Sequence, residues 1–250
     1  MTTNSESYPP NRWLSPEFAD SWLAVNRNEV RDQSIRKRLV LTLPFQPGDN
    51  IRVLDVGTGD GALALEVLTV YRKAQLVCHD YSEAMLSNAR QKLSQFSPSV
   101  SFIDSDLKYP EWTNVIEGKF DAVISSIAIH NVIEQSGNSG TDRIQAIYAE
   151  IFSLLKPGGC FFNFEFVSPP GPVTEAIYLK KQLDEYKARP KMEIPIDISS
   201  KELEAAMCRH LRHPRASLLD QLDWLRQAQF KEVDCLWKDT QSTIIVGFRH

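Results

Sequence analysis

The run Val53-Leu54-Asp55-Val56-Gly57-Thr58-Gly59-Asp60-Gly61 gathers residues suited to holding a ligand. Glycines let the backbone take unusual dihedrals and come close to a bound molecule. A dinucleotide wants G-x-G-x-x-G, with its pyrophosphate on a helix N-terminus. The spacing here is G-x-G-x-G, with Asp55 before the loop and Asp60 inside it. Two carboxylates would repel a pyrophosphate; they suit a ligand without phosphate that carries positive charge. Asp80 can accept hydrogen bonds from both ribose hydroxyls, as an acidic residue does in dinucleotide folds. Asp106, within Asp104-Ser105-Asp106-Leu107, can accept from an adenine amino group, and Tyr81, Met85 and Leu107 can wall the ring. Each feature alone also fits a structural turn, a helix cap or a solvated side chain. Their succession, each at the end of an apolar run, points to one nucleoside-type site.

A second set lies in Ser125-Ser126-Ile127-Ala128-Ile129-His130-Asn131-Val132. His130 suits an acid, a base or a substrate-orienting group, or else packs structurally. Asn131 can orient a substrate. Glu165 either faces the same edge or ends its strand in solvent. Arg209, His210, Arg212, His213 and Arg215 make a basic turn, fit for an anion or simply solvated. Cys208, His210 and His213 match no zinc spacing and lack a fourth ligand, so no metal site is expected.

Hydrophobic periodicity supplies the elements that must position these groups. Ile51 to Val56 reads as a buried strand, Ala62 to Tyr71 as a helix, and Gln75 to His79 as a second strand. Ser82 caps a helix with Met85, Leu86, Ala89 and Leu93 on one face. Val100 to Ile103 and Phe120 to Ile127 are strands three and four. Thr141 or Asp142 caps a helix carrying Ile144, Ile147, Tyr148, Ile151 and Leu155, and Pro157-Gly158-Gly159 turns sharply into a fifth strand, Cys160 to Val167. This alternation predicts a parallel sheet covered on both faces, with right-handed crossovers. Beyond Ser168-Pro169-Pro170-Gly171-Pro172 come helices over Val173–Ala188, Lys201–Leu211 and Ser217–Gln229. Strands Phe230–Trp237 and Gln241–Phe248 follow, antiparallel about a tight turn at Lys238-Asp239. Ser15-Pro16-Glu17 opens a helical region that runs to about Leu43.

Residues 1–48 thus read as an N-terminal helical segment and 49–250 as one domain. A net charge of -4 and a pI near 5.8 weigh against a polyanion partner. Cys78, Cys160, Cys208 and Cys235 are scattered without C-x-x-C, which suits free thiols in a reducing compartment, three of them buried. The start MTTNSESYPP has no apolar signal core, and no apolar run has membrane-spanning length. The expectation is a cytoplasmic protein with no membrane partner, monomeric or homodimeric.

Across about residues 50–250 the chain resembles the class I S-adenosylmethionine-dependent methyltransferases. Asp55 to Gly61 matches their first motif, D-x-G-x-G-x-G. Asp80-Tyr81-Ser82 with Met85-Leu86 is similar to the next motif, and Asp106-Leu107 to the third. Phe120 to Ser125 resembles the fourth strand, and Leu154 to Gly159 the turn before the fifth. The resemblance implies an α/β, Rossmann-like, doubly wound seven-stranded sheet of order 3-2-1-4-5-7-6, with strand 7 antiparallel. It implies S-adenosyl-L-methionine as cofactor and S-adenosyl-L-homocysteine as product. The cofactor contacts it implies are Asp55, Gly57, Thr58, Gly59, Gly61, Asp80, Tyr81, Ser82, Met85, Asp106, Leu107, Ser125 and Ser126. His130, Asn131 and Glu165 are the catalytic candidates. Many relatives carry a second histidine where Asn131 stands, which sets a two-histidine mechanism aside. The resemblance also implies a helical lid from residues 1–48 and a substrate-side insertion at about 168–215, with Trp13, Trp22 and Pro190–Ser199 placed to line an acceptor pocket and Arg27, Arg31 and Arg36 facing it or decorating a helix; it leaves the acceptor itself open. A small molecule is the leading reading. The alternatives are a wobble-uridine tRNA-modifying enzyme using the basic turn with Lys180, Lys181, Lys187, Arg189 and Lys191, and a non-catalytic cofactor-binding or interaction protein.

Overall fold

The computed structural model describes residues 11–26, 30–136, 140–188, 200–211 and 215–250. Arg27, Arg189, Lys191, the segment Pro190–Ser199, and Arg212 and His213 of the basic turn lie outside the described residues. So do the side chains of Arg31, Arg209 and His210.

Seven strands form one sheet: β1 (Arg52–Val56), β2 (Gln75–Asp80), β3 (Val100–Asp104), β4 (Phe120–Ser126), β5 (Leu155–Phe166), β6 (Lys231–Asp239) and β7 (Ser242–Phe248). Their order is β3-β2-β1-β4-β5-β7-β6. The first five run parallel, and β7 is antiparallel to both its neighbours. The central strands are apolar on both faces because both faces are covered. On one side Val53 and Leu76 meet Ile35, Leu39, Leu63 and Val67. The first two of these come from helix α2 (Val30–Thr42) and the others from α3 (Ala62–Val70). On the other side Leu54, Val123 and Phe161 meet Ile144, Ile147, Tyr148 and Ile151 of α6 (Gly140–Leu154), with Leu225 of α9 (Leu218–Gln227). Helix α4 (Glu83–Lys92) follows β2, α5 (Asn131–Ser136) follows β4, and α7 (Pro172–Ala188) and α8 (Ser200–Leu211) lie between β5 and α9. Helix α1 (Pro16–Asn26) rests Ala19 and Leu23 on Met85 of α4, in a small cluster with Trp13 beside it.

Five local readings change. Helix α5 was not foreseen, since His130 to Ser136 is too short to show a period. Strand β4 stops at Ser126, because Ile127 leaves the pleat with φ at 53°. Pairing on β5 begins at Leu155 and not Cys160: it jumps from Phe120–Leu155 to Ala122–Cys160, and Gly158, at φ 81°, turns within the gap. The Pro-Gly-Gly turn is therefore a bulge inside the strand. The final hairpin turns at Thr240-Gln241, between the Asp239–Ser242 pair, and not at Lys238-Asp239. Cys78 and Cys160 are buried, whereas Cys208 and Cys235 are only partly so; two thiols and not three pack as core residues. No described helix is long and apolar enough to cross a membrane.

Candidate active site

The parallel register sets the carboxyl ends of β1, β2 and β4 side by side, with Val56 opposite both His79 and Ser125. Ligands bind at such an edge, where the crossovers diverge. Asp55 is buried at the end of β1. Its Oδ2 accepts a hydrogen bond from Thr58 Oγ1 at 2.7 Å. Its Oδ1 is also buried and makes no hydrogen bond of good geometry. Burial pushes the carboxyl up to about 7; the Thr58 hydroxyl, the Ala64 backbone and Arg36 oppose this, and Asp80 adds to it.

The loop itself is held from β2. Thr58 N–H donates to His79 O at 2.8 Å. Asp80 Oδ2 accepts from Gly59 N–H at 2.8 Å, and its Oδ1 accepts from Ser82 N–H at 3.0 Å. Burial raises the Asp80 carboxyl, against those backbone donors. Tyr81 N–H is a third backbone donor, which leaves part of the carboxylate's acceptor capacity for another ligand group. Ser82 caps α4 through Met85 N–H and donates its own hydroxyl to Trp13 O at 2.5 Å. The N-terminal segment at Trp13 is thereby tied to the residue that Asp80 holds. Gly57 and Gly59 divide their tasks. At Gly57 (φ 68°) an added Cβ would lie 2.3 Å from Ala128 Cβ, so this glycine lets the β4 loop close on the β1 loop. At Gly59 (φ 54°) nothing lies within 4 Å of such an atom, which leaves open space over the loop. Gly61 begins α3 with Ala89 Cβ 3.2 Å from its would-be Cβ.

The other expected cofactor contacts are distributed unevenly. Tyr81 is partly exposed at the same edge. Met85 is buried against Ala19 and Leu23 of α1. Asp106 Oδ1 accepts from Lys108 N–H at 2.9 Å, closing its own turn, and Leu107 packs into the core. Ser125 donates to Val56 O at 2.8 Å, linking β4 to β1, and Ser126 is partly exposed. Asp60 pairs with Lys92 on α4.

The catalytic candidates come together in a way their separation of 35 positions did not announce. Glu165 is wholly buried. Its Oε1 lies 2.5 Å from His130 Nδ1 and accepts from Phe166 N–H at 2.7 Å, while Oε2 accepts from His130 N–H at 3.2 Å. A carboxylate at Nδ1 sets the proton there and makes Nε2 the basic nitrogen. Asn131 turns back, donating to Ala128 O at 3.1 Å. Ile127, a β-branched residue at positive φ, starts this turn, and such strain gathers at functional sites.

Three residues enter that sequence reasoning passed over or left open. Arg36 on α2 is close enough to steady the Asp55 charge. Phe166 sits 6.1 Å from the His130 ring, centroid to centroid, and Arg215 lies over Phe166. Only proximity in the fold could reveal these, since no spacing rule joins them. His79, buried below the loop, bonds Ser105 Oγ at 2.9 Å and packs on Trp112; burial lowers it to about 4, so it stays neutral. Among the lysines considered for an RNA face, Lys180 pairs with Asp184, and Lys181 with Asp239 and Glu185.

Residues 53–159 match the family model described as the methyltransferase domain. A ubiquinone/menaquinone biosynthesis C-methyltransferase of Geobacter sulfurreducens is 31% identical over 148 residues, which is 59% of this chain and 53% of that protein. The chain thus spans about half the length of the curated relatives it matches. Among solved structures, an O-methyltransferase family 2 protein from Planctomyces limnophilus in complex with apigenin superposes with a TM-score of 0.63 at 19% identity, covering 98% of this chain and 63% of that one. Human N-acetylserotonin methyltransferase in complex with S-adenosylmethionine gives a TM-score of 0.52 at 17% identity, over 91% and 58%. Residues 53–159 are thus similar to a methyltransferase domain, and the sheet around them has the fold these solved structures share. S-adenosylmethionine is the cofactor bound in the human structure of this fold.

Proposed function

We propose that this protein binds S-adenosyl-L-methionine over the Gly57–Gly61 loop and methylates a small molecule whose reacting group loses a proton to His130. The observation that carries the reading is the His130–Glu165 pair, set beside the glycine loop by the Gly57–Ala128 contact. The loop region fits the cofactor: a buried carboxylate oxygen awaits a donor at Asp55, open space lies over Gly59, and Asp80 keeps acceptor capacity. When bound, S-adenosylmethionine supplies a methyl group on a positively charged sulfur. Asp55 holds the ammonium end, Asp80 the ribose hydroxyls, and Asp106 with Tyr81 the adenine side; Ser125 and Ser126 shape the floor between.

On the acceptor side, Glu165 fixes the imidazole and counters the charge it gains when Nε2 takes a proton. Positioned bases of this kind contribute on the order of 10²–10⁴-fold. Helix α1, preceded by Trp13 that is tied to Ser82, acts as the lid, and α7 and α8 bound the acceptor side. A small acceptor fits an edge closed this way. The curated relatives named for quinone biosynthesis, and the structural neighbour with apigenin, are in keeping with an aromatic one.

Calorimetric titration with S-adenosylhomocysteine tests the reading, with NAD as control. Micromolar affinity is expected, reduced in Asp80→Ala. Turnover of quinols or phenols should then vanish in His130→Ala while S-adenosylhomocysteine still binds. A folded sample that binds no S-adenosylhomocysteine would overturn the proposal.

A further inference from the structure

We infer that Arg143 is a positioning residue for recognition of the cofactor's adenine: it fixes the peptide unit that aims the Asp106 carboxylate. The inference deepens the cofactor-binding reading above and rests on it.

The chain of contacts is short. Arg143, near the start of α6, donates from Nε to Leu107 O at 2.6 Å. That carbonyl shares a peptide unit with the N–H of Lys108. The same N–H donates to Asp106 Oδ1 at 2.9 Å. One peptide plane is therefore gripped at both ends, by Arg143 at its oxygen and by Asp106 at its nitrogen. Hydrogen bonds in such a row polarise one another, and a charged donor at the head strengthens the N–H that holds the carboxylate. With Oδ1 engaged, Oδ2 of this partly exposed residue is the oxygen left for an adenine amino group.

Arg143 is itself held. Its Nη1 and Nη2 meet Glu150 Oε1 and Oε2 at 2.8 and 2.7 Å, a bidentate pair along α6. The two side chains are only 11% and 21% exposed, so solvent screens the pair weakly. Glu150 Oε2 also accepts from the indole of the buried Trp112 at 2.6 Å. Across the base of the loop, Ser105 Oγ donates to Trp112 O at 3.2 Å, and Ser105 N–H donates to Asp80 O at 3.2 Å. The loop is thus tied to β2 at its start and to α6 along its length.

Burial and hydrogen bonding divide the work. Leu107 packs into the core and fixes where the loop lies. Arg143 fixes how the peptide beside Asp106 is turned, which no apolar contact can do. Groups that recognise a ligand need that second kind of support to hold their geometry. A carboxylate so fixed pairs with a base that bears the C6 amino group and is left unpaired by one that lacks it.

The test titrates the full chain with S-adenosylhomocysteine and with its analogue whose base is unsubstituted purine, so that the two differ by the C6 amino group alone. The wild type should bind the adenine compound roughly tenfold or more tighter, the contribution of one hydrogen bond to a charged acceptor. Arg143→Ala should cut that ratio about threefold or more, and Arg143→Lys, which still donates to Leu107 O, should restore part of it. An arginine that only stabilises the fold would weaken both compounds alike; an unchanged ratio in Arg143→Ala therefore overturns the inference. So does a wild type that binds the two equally, which leaves S-adenosylmethionine binding standing. If Arg143→Ala does not fold, Glu150→Gln, which keeps the shape of the pair but loosens the guanidinium, is read in its place. Failure of the wild type to bind S-adenosylhomocysteine removes both readings.

Discussion

Glu165 grips His130 twice, at the ring through Oε1 (2.5 Å from Nδ1) and at the backbone through Oε2 (3.2 Å from N). One buried carboxylate thereby fixes both where the imidazole sits and which nitrogen carries the proton. His130→Ala should lower kcat by roughly 10²–10⁴-fold on an acceptor that must lose a proton. Glu165→Gln keeps the shape but removes the charge that steadies the imidazolium, and its loss should be about tenfold or more. A positioning role has a signature that a structural one lacks. Across a series of acceptors, the Glu165→Gln deficit should shrink for those already ionised at the assay pH. Steady-state rates over such a series give the answer, and a deficit independent of acceptor acidity argues that Glu165 only holds the fold.

Asp55 couples stability and cofactor binding to pH. Its folded pKa, near 7, lies above the value of about 3.9 in an unfolded chain. Below pH ~4 the carboxyl is protonated in both states. Between ~4 and ~7 the unfolded chain has shed a proton that the fold still keeps, so this residue's contribution falls as pH rises, by up to ~1.4 kcal/mol per unit, and levels off above ~7. Asp55→Asn should flatten that slope in denaturant titrations of the ligand-free protein. A cationic ligand prefers the ionised form. S-adenosylhomocysteine binding at pH 6 should therefore release close to one proton in the wild type and none in Asp55→Asn, which calorimetry in two buffers of different ionisation enthalpy can read. Equal proton release in both would assign the coupling to another group.

The contrast between Asp55 and Glu165 shows how far a sequence can carry such a site. Asp55, the glycines and Asp80 were legible because each ends a strand within one repeating βα unit, and the parallel register then has to align them. The seven-strand order was expected from the motif likeness and is the order found. Glu165 is legible as a catalytic candidate at its strand's carboxyl edge, but its pairing with His130 is not. Its partner is set by a turn after β4 that begins with a left-handed isoleucine, and no local preference would foretell that conformation. Arg215 was one of several charges in a basic run; only the pairing of Ser168 with the start of α9 distinguishes it. The hairpin slipped for a related reason, since Thr240 at φ 52° takes a turn position usually given to glycine or asparagine.

Gly57 and Gly59 should respond oppositely to the same substitution. Gly57→Ala puts a methyl 2.3 Å from Ala128 Cβ at φ 68°, which combines overpacking with left-handed strain and should cost roughly 2–6 kcal/mol of stability. Ala128→Gly in the same chain should restore part of it. Gly59→Ala meets only the conformational cost, about 1–2 kcal/mol, and should fold. Its methyl points into the space assigned to the cofactor, so S-adenosylhomocysteine affinity should drop at least tenfold. Melting curves and binding titrations on the four proteins separate the two roles. If Gly59→Ala binds as the wild type does, the open space above it is not part of the cofactor site.

Helix α1 should be the least stable helix bordering the site. Its buried contacts are Ala19 and Leu23 on Met85, apart from the two cores that enclose the sheet. Burying one leucine contributes about 1.5–3 kcal/mol, so α1 should open locally at far lower cost than α6, whose five core residues lie against the strands. Hydrogen exchange should show α1 amides exchanging orders of magnitude faster than those of α6. Trp13 O accepts from Ser82, and Ser82 N–H is held by Asp80, so a ligand that engages Asp80 should slow exchange in α1 as well. Leu23→Ala should speed α1 exchange, weaken S-adenosylhomocysteine binding several-fold, and leave the melting of the sheet little changed. Protection of α1 that does not respond to S-adenosylhomocysteine would separate the helix from the cofactor site and end its assignment as a lid.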